Sequence, residues 1–250
     1  MLTTLGMAIF APLLARFDPF AFAAVPLSPP SFAHPMGTDA IGRDLYSGVL
    51  YGARASLAVA GTSTMLAALV GTVIGLAAGY RGGMPDDLLM RFTELVQTLP
   101  RFFLVVVVVA LFGPGLNREV AVIAITAWPT LARVVRGETL AIRDVEFIVS
   151  ARASGASTSR VMWRHILPNI TPSALVIIGL LFGQALLVEA SVGFLGLADP
   201  TSVSWGALAG QAQGFLRAAW WLSVFPGLAI AAAVLGANLL ADAFVGAARR

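Results

Sequence analysis

The chain has 250 residues, 58% of them hydrophobic and 12% charged. Soluble domains carry about 25% charged residues, so this deficit and a mean hydropathy of +0.86 describe a chain solvated mostly by lipid. All 16 basic residues are Arg and there is no Cys, which excludes a Lys-based phosphate loop, Schiff-base chemistry, disulfides, thiolate catalysis and Cys-bound metals.

A spanning helix needs roughly 20 apolar residues. The length therefore predicts one all-helical membrane domain of about six spans. An isoelectric point near 10.2 would suit nucleic acid, but the Arg residues lie between apolar runs and read as topology signals. No nucleic-acid partner is expected.

The first apolar run, Leu2 to Ala15, predicts a first span within residues 1–17, with a start that can lie upstream of Met1. A signal peptide with Ala21-Phe22-Ala23 as its cleavage site competes, but the positive segment such a peptide needs is missing. Residues 18–54 contain Pro19, Pro26, Pro29, Pro30 and Pro35, which break helices. They read as an ordered extracytoplasmic excursion, with Thr38 or Asp39 capping a helix that begins near Ala40.

The core of the domain occupies residues 55–250. Its second span runs from about Ser56 to Tyr80, with Gly71, Gly75 and Gly79 on one face for close helix packing. Arg81 to Asp87 reads as a tight polar turn. A third span covers Leu88 to Phe112, kinked at Pro100, with Arg101 near one end of its apolar core. The fourth runs from Val120 to Val135 around Pro129. The fifth covers Pro172 to Leu195 and the sixth Trp221 to Val245. Trp205, Trp220 and Trp221 suit a membrane–water interface.

Between the fourth and fifth spans lies the polar stretch 136–169. It carries Arg136, Arg143, Arg152, Arg160 and Arg164, with Arg133 just before it. Basic loops remain in the cytoplasm, so this segment is placed there, and alternation puts both termini inside. Arg81, Arg91, Arg249 and Arg250 agree. Arg16, Arg43, Arg54, Arg118 and Arg217 fall outside, against the trend. Within the stretch, Gly155 suits the left-handed turn that ends a helix, and Ser157 or Thr158 can cap a second one. Leu167-Pro168 is expected to end that second helix.

The segment from Val149 to Pro168 resembles the EAA loop of bacterial ABC importer permeases. That pattern is Glu-Ala-Ala, three residues, Gly, nine residues, Ile, one residue, Leu-Pro. Here Val149, Ser150 and Ala151 take the first places, His165 stands for the Ile, and Gly155 and Leu167-Pro168 keep the spacing. The Glu is absent, as is familiar in the peptide-importer branch, along with an Arg-His-Ile-Leu-Pro-Asn run, here Arg164 to Asn169. His34 to Asp44, Phe194 to Leu197 with Ser204-Trp205-Gly206, and Phe225 to Leu228 followed by Asn238 resemble the C-type subunit of dipeptide/oligopeptide (nickel) importers. Ala198 replaces a further Gly of that pattern.

The resemblance implies a type I importer permease of the bacterial inner membrane. Its coupling loop would be formed by Val149, Ser150, Ala151, Arg152, Gly155, Ala156, Ser157, His165, Leu167 and Pro168. Implied partners are a second homologous permease, two ATPase chains that carry the ATP and Mg, and an extracytoplasmic binding protein. The chain itself would hold no cofactor or metal and would not be an enzyme. Peptides are the default cargo; nickel chelates or other small solutes are the alternative.

Ionisable groups within spans are functional candidates. Glu189, Glu94 and Gln184 are candidates for the pathway or its gate, with Glu189 in the outer half, and Gln97 and Asn238 are weaker ones; interhelical hydrogen bonding is the competing and favoured reading of such groups. Such acids would also serve an ion-coupled secondary carrier, the rival class. His165 reads as a packing residue of the loop. Arg43 and Asp44 read as residues that order the excursion.

Overall fold

The computed structural model describes residues 2–248. Met1, Arg249 and Arg250, with the start and topology readings placed on them, lie outside the described residues. The helices are α1 (Leu2–Leu14), α2 (Leu45–Arg81), α3 (Gly83–Gln97), α4 (Arg101–Phe112), α5 (Leu116–Ile142), α6 (Glu146–Ala153), α7 (Thr158–Arg160), α8 (Leu167–Phe194), α9 (Trp205–Gln211) and α10 (Trp221–Ala248). A π-helical turn, Val161–Ile166, joins α7 to α8. Among the described residues no β-strand occurs; one isolated bridge pairs Thr38 with Asp44.

Four helical stretches are long and apolar enough to cross a membrane: α2, α5, Thr158–Phe194 and Trp221–Phe244. The pair α3–α4 makes a fifth if counted as one span. The expected third span is thus broken rather than kinked. Pro100 offers no N–H and biases the residue before it away from helix, and Arg101 opens a new helix whose guanidinium donates to the Thr126 carbonyl at 3.3 Å. The first expected span, at the N-terminus, is a 13-residue helix, short of the length a crossing needs.

The chain divides into two compact units. The first comprises Met1–Ser63, Phe102–Ile123 and Phe182–Ala237. Its core includes Leu45, Val49, Leu57, Ile123, Leu186, Trp205 and Leu222. Here the expected cap at Thr38 or Asp39 is corrected. The Asp39 side chain instead closes a turn, accepting the N–H groups of Ile41 and Arg43 at 2.9 and 2.8 Å. Asp44 is the cap: its Oδ2 accepts the Ser47 N–H and hydroxyl at 2.8 and 2.7 Å, so α2 starts at Leu45 and takes ten residues from the expected excursion. The other oxygen, Oδ1, pairs with His34 Nδ1 at 2.8 Å.

The Trp residues are a second correction. Trp205 is fully buried, donating its Nε1–H to the Val49 carbonyl at 2.8 Å. Trp221 is buried as well and donates to the Thr38 carbonyl at 3.2 Å. Only Trp220 of the three is exposed. The amphipathic indole that suits an interface also suits a core with a carbonyl in reach. Gly193 of α8 and Gly206 of α9 let those helices touch: a Cβ on Gly193 would lie 2.7 Å from the Ala207 nitrogen.

The second unit comprises Thr64–Arg101, Ala124–Leu181 and Asn238–Arg250. Its core includes Leu76, Trp128, Leu131, Val135, Ile148, Val161, Ile166 and Ile170. The predicted glycine face of α2 packs on α5. A Cβ on Gly71 would lie 2.7 Å from the Trp128 carbonyl oxygen, and one on Gly79 would lie 2.7 Å from Thr139 Cβ. At Gly75 it would lie 2.5 Å from the Ala132 oxygen and 2.7 Å from Val135 Cβ. The expected turn at Arg81 to Asp87 shrinks to Gly82, because Gly83 already begins α3. The helix continues because Asp86 is buried and answered by Arg136 of α5 in a two-point pair, with 2.7 Å between Nη2 and Oδ2.

The α2–α5 seam yields a stability test. Gly75→Val must push backbone apart and should cost about 1–3 kcal/mol, read as a lower unfolding midpoint of the purified protein in detergent. Gly61→Ala lies in the same helix with no atom within 4 Å of the added carbon, and should be neutral or mildly stabilising. Equal midpoints for the two variants would remove the seam as a close-packed contact.

Candidate functional site

The segment joining α5 to α8 is built on helix-end chemistry. Glu146 stands in the first turn of α6 and Arg152 in the last, each favourable toward the helix dipole. The helix stops in a two-bond motif around Gly155: Ala156 N–H donates to the Ala151 carbonyl at 3.1 Å, and Gly155 N–H to that of Arg152 at 3.0 Å. This is a Schellman ending, which needs a left-handed residue at its centre; Gly155 supplies φ +82°. No atom lies within 4 Å of where a Gly155 side chain would start, so the turn faces open space. Ser157 then caps the next helix, its hydroxyl accepting the Arg160 N–H at 3.4 Å.

Leu167-Pro168 was expected to end that helix, and the structure corrects this: Thr158–Phe194 is one continuous stretch. Leu167 N–H donates to Met162 O, five residues back, in the wider π-helical turn. Pro168 therefore sits two residues past the π turn, inside the continuous helical stretch.

Ile148, Val161 and Ile166 are fully buried and nail the segment to the second unit's core. Polar ties add to them. Arg143 donates from Nη1 to the Gly79 carbonyl at 3.0 Å and from Nε to Asp144 Oδ2 at 3.1 Å. Arg152 reaches the Arg143 carbonyl at 3.1 Å and Asp144 Oδ1 at 3.3 Å. Asp144 thus bridges the end of α5 to α6. Val149, Ser150, Arg152, Gly155, Ser157 and Pro168 are exposed, while Ala151, Ala156, His165 and Leu167 are half-buried. The structure adds Val145, Phe147 and Trp163, which are 43%, 45% and 48% exposed. Large apolar side chains are thus left open on this polar segment.

The pathway candidates do not gather into one site. Glu94 is exposed and lines a cavity of the second unit with Arg91, Arg133 and Arg136. Gln184 is exposed on α8. Glu189 is 2% exposed and is held by the Ser56 and Ser204 hydroxyls. Lining an outer mouth would require exposure, and in this conformation Glu189 faces the interior of the first unit. Glu119 is equally buried. Among the described residues no group of three His, Cys, Asp or Glu side chains could hold a metal.

Residues 71–250 match the model of the binding-protein-dependent transport system inner membrane component family. The chain belongs to that family. The inner membrane component resembles a putative peptide transport system permease protein of Brucella suis at 37% identity over 237 residues, covering 94% of this chain and 80% of the relative. It is 38% identical over 242 residues to a dipeptide transport system permease protein of Alkalihalophilus pseudofirmus, covering 94% and 78%. A glutathione transport system permease protein of Pectobacterium atrosepticum is 39% identical over 214 residues, covering 85% and 71%. Among solved structures, an inward-facing form of the MetNI methionine ABC transporter matches with a TM-score of 0.71 at 18% identity, covering 82% of this chain and 98% of that one. The inner membrane component thus has the type I ABC importer permease fold and is a transport subunit of a membrane complex.

The Asp144 bridge predicts a pH response. Hydrogen bonds from Arg143 and then Arg152 hold the Asp144 carboxyl below its ordinary 3.8. A lowered carboxyl stabilises at every pH above its unfolded value and loses that contribution only as pH falls through the folded one. Hydrogen exchange at the α5–α6 joint should therefore be unaffected by Asp144 titration between about pH 5 and 8. Asp144→Asn should loosen the joint throughout that range. Loosening of the wild-type joint near neutrality would assign its control to a different group.

Proposed function

We propose that the chain forms one half of the translocation path of an ABC importer for short peptides, paired with a second, homologous permease. The 136–169 segment seats on a separate ATPase, which binds the ATP and Mg that drive the cycle. An extracytoplasmic binding protein delivers the cargo. The Arg-rich segment lies in the cytoplasm by the positive-inside rule. Counting the pair α3–α4 as one crossing, residues 18–44 face the outside and the C-terminal end of α10 lies in the cytoplasm. Cargo is assigned by the relatives, which are named for peptides, dipeptides and glutathione, itself a short peptide.

The observation that carries the docking assignment is the exposed apolar pair Phe147 and Val149 beside the open Gly155 turn. They stand on a helix whose inner face is fixed by Ile148 and whose ends are tied by Arg143, Asp144 and Arg152. A rigid element of this kind transmits the displacement of its partner as a rigid-body shift. His165 contributes its carbonyl, which accepts the Asn169 amide at 2.7 Å, and so acts in the loop's internal order.

Phe147→Glu should remove a desolvated anchor, worth about 2 kcal/mol or roughly a 30-fold loss of ATPase affinity. It is read as loss of the ATPase chains on co-purification from membranes. Gly155→Leu forces a left-handed backbone at a cost of roughly 1–2 kcal/mol, and should uncouple ATP hydrolysis from peptide uptake in proteoliposomes. Full retention of ATPases and normal coupling in both variants would remove the loop as the docking surface. Uptake by vesicles that contain no ATPase would favour an ion-coupled carrier instead.

A further inference from the structure

Asp87, Arg91 and Glu94 recur along α3 at steps of four and three, so they share one face of the helix. Arg133 and Arg136 share a face of α5 in the same way. With Met90 these residues line a cavity of about 550 Å³ within the second unit, inside the range of about 300–1,000 Å³ that small-molecule sites occupy. Arg136 is committed to buried Asp86, which it meets at two points. Asp87 and Glu94 each have Arg91 one turn away, a spacing at which helix neighbours can pair. Among the described residues, however, no ion pair includes either acid, Arg91 or Arg133. The wall therefore carries two cations and two anions that form no ion pair within the chain.

A second face of α3 bears on where this groove opens. Met84, Leu88, Phe92 and Leu95 are exposed and form a stripe of their own at steps of four, four and three. That stripe suits acyl chains. Charged side chains on a spanning segment do not: they are costly against lipid and face a bundle interior or a water-filled passage instead. Counted as part of the α3–α4 crossing, the charged face of α3 therefore turns to the passage. The orientation proposed for the importer puts it in the cytoplasmic half.

The signs of the charges select the occupant. An anion alone would meet Asp87 and Glu94, and a metal cation alone would meet Arg91 and Arg133. A zwitterion answers both. We propose that this groove is a subsite for a short peptide with free ends on its way to the cytoplasm. Arg91 and Arg133 take its C-terminal carboxylate, and Asp87 and Glu94 take its N-terminal ammonium. The assignment rests on the importer reading and on its orientation. Arg suits the carboxylate end, because its planar fork meets a carboxylate at two points. All four side chains are exposed in the chain. Ion pairs that stay solvated are weak, as a passage requires if its cargo is to leave as readily as it enters.

The chain has no Cys, so Met90→Cys puts a single thiol in the cavity wall. The test assembles this variant with Cys-free partner subunits in nanodiscs of phosphatidylglycerol and reads the rate of labelling by a neutral, water-soluble maleimide. A dipeptide with free ends should slow labelling about threefold at twice its dissociation constant. The same dipeptide, acetylated and amidated, should leave the rate unchanged at equal concentration. Glu94→Gln should shrink the gap between the peptide and its N-acetyl form but not the gap to its amide; Arg133→Gln should do the reverse. A merely structural role would weaken every form alike. Arg217→Cys, exposed and outside the cavity, should label at one rate throughout. Co-purification of all subunits checks assembly, and Asp87→Cys replaces Met90→Cys if the latter does not assemble.

Equal protection by the free and the doubly capped peptide, or protection by neither, would overturn the proposal. ATP-driven uptake of the peptide by the unsubstituted complex with its binding protein would then leave the importer reading standing, whereas failure of that uptake would overturn both. Slower labelling in phosphatidylethanolamine than in phosphatidylglycerol, with no effect of peptide, would give the groove to a lipid headgroup of the same zwitterionic chemistry and overturn the cargo assignment.

Discussion

The close approach of α2 and α5 along Gly71, Gly75 and Gly79 is the constraint on which the coupling segment depends. In lipid, apolar side chains gain little by meeting each other rather than acyl chains, so association rests on contact at short range. The glycine seam provides that contact. It brings the Gly79 carbonyl within reach of Arg143, and Arg143 shares Asp144 with Arg152. A backbone-to-backbone fit inside the helical bundle is thus linked by three side chains to the orientation of α6. Asp86 and Arg136 brace the same region from α3.

In the first unit the equivalent difficulty is irregular backbone. Residues 18–44 have no helix and a single bridge, yet many of their polar groups find partners. Thr38 alone accepts the Ser28 N–H, donates its hydroxyl to the Val25 carbonyl and offers its own carbonyl to Trp221. Asx-type turns at Asp39 and a cap at Asp44 complete the segment. Order here comes from short side chains that stand in for a ladder, which is why so proline-rich a stretch can hold a fixed shape.

The sequence made some of these devices readable and hid others, for physical reasons. A Gly followed by Ser and Thr announces a helix end and a new cap, and both occur at Gly155 and Ser157. Glycines spaced by four announce a close contact, although not the partner they meet. The start of α2 was misplaced because Asp44 and Asp39 are equally good caps on paper, and only tertiary pairing with His34 decides between them. Trp205 and Trp221 read as interfacial because an indole near a span end suits either lipid or core; the Val49 and Thr38 carbonyls that settle it lie far away in sequence. The exposed Phe147 and Val149 flank a buried Ile148, a one-in-three pattern too short to give a period. Pro168 looked like a stop, yet the helical stretch runs on through it from the wider turn before it.

That wider turn has a consequence for the phase of the helix. An α-helix advances 100° per residue, and a π turn accommodates roughly one residue more than an α turn over the same rise. The faces of Thr158–Arg160 and of Leu167–Phe194 therefore do not follow one another by counting. The side that carries Ser157 and Arg160 is set against the long span by the turn between them rather than by the side chains along it. Chain length between Val161 and Ile166 acts as a dial for the azimuth of everything that precedes it, and a one-residue change there would re-aim the segment even with every contact residue intact.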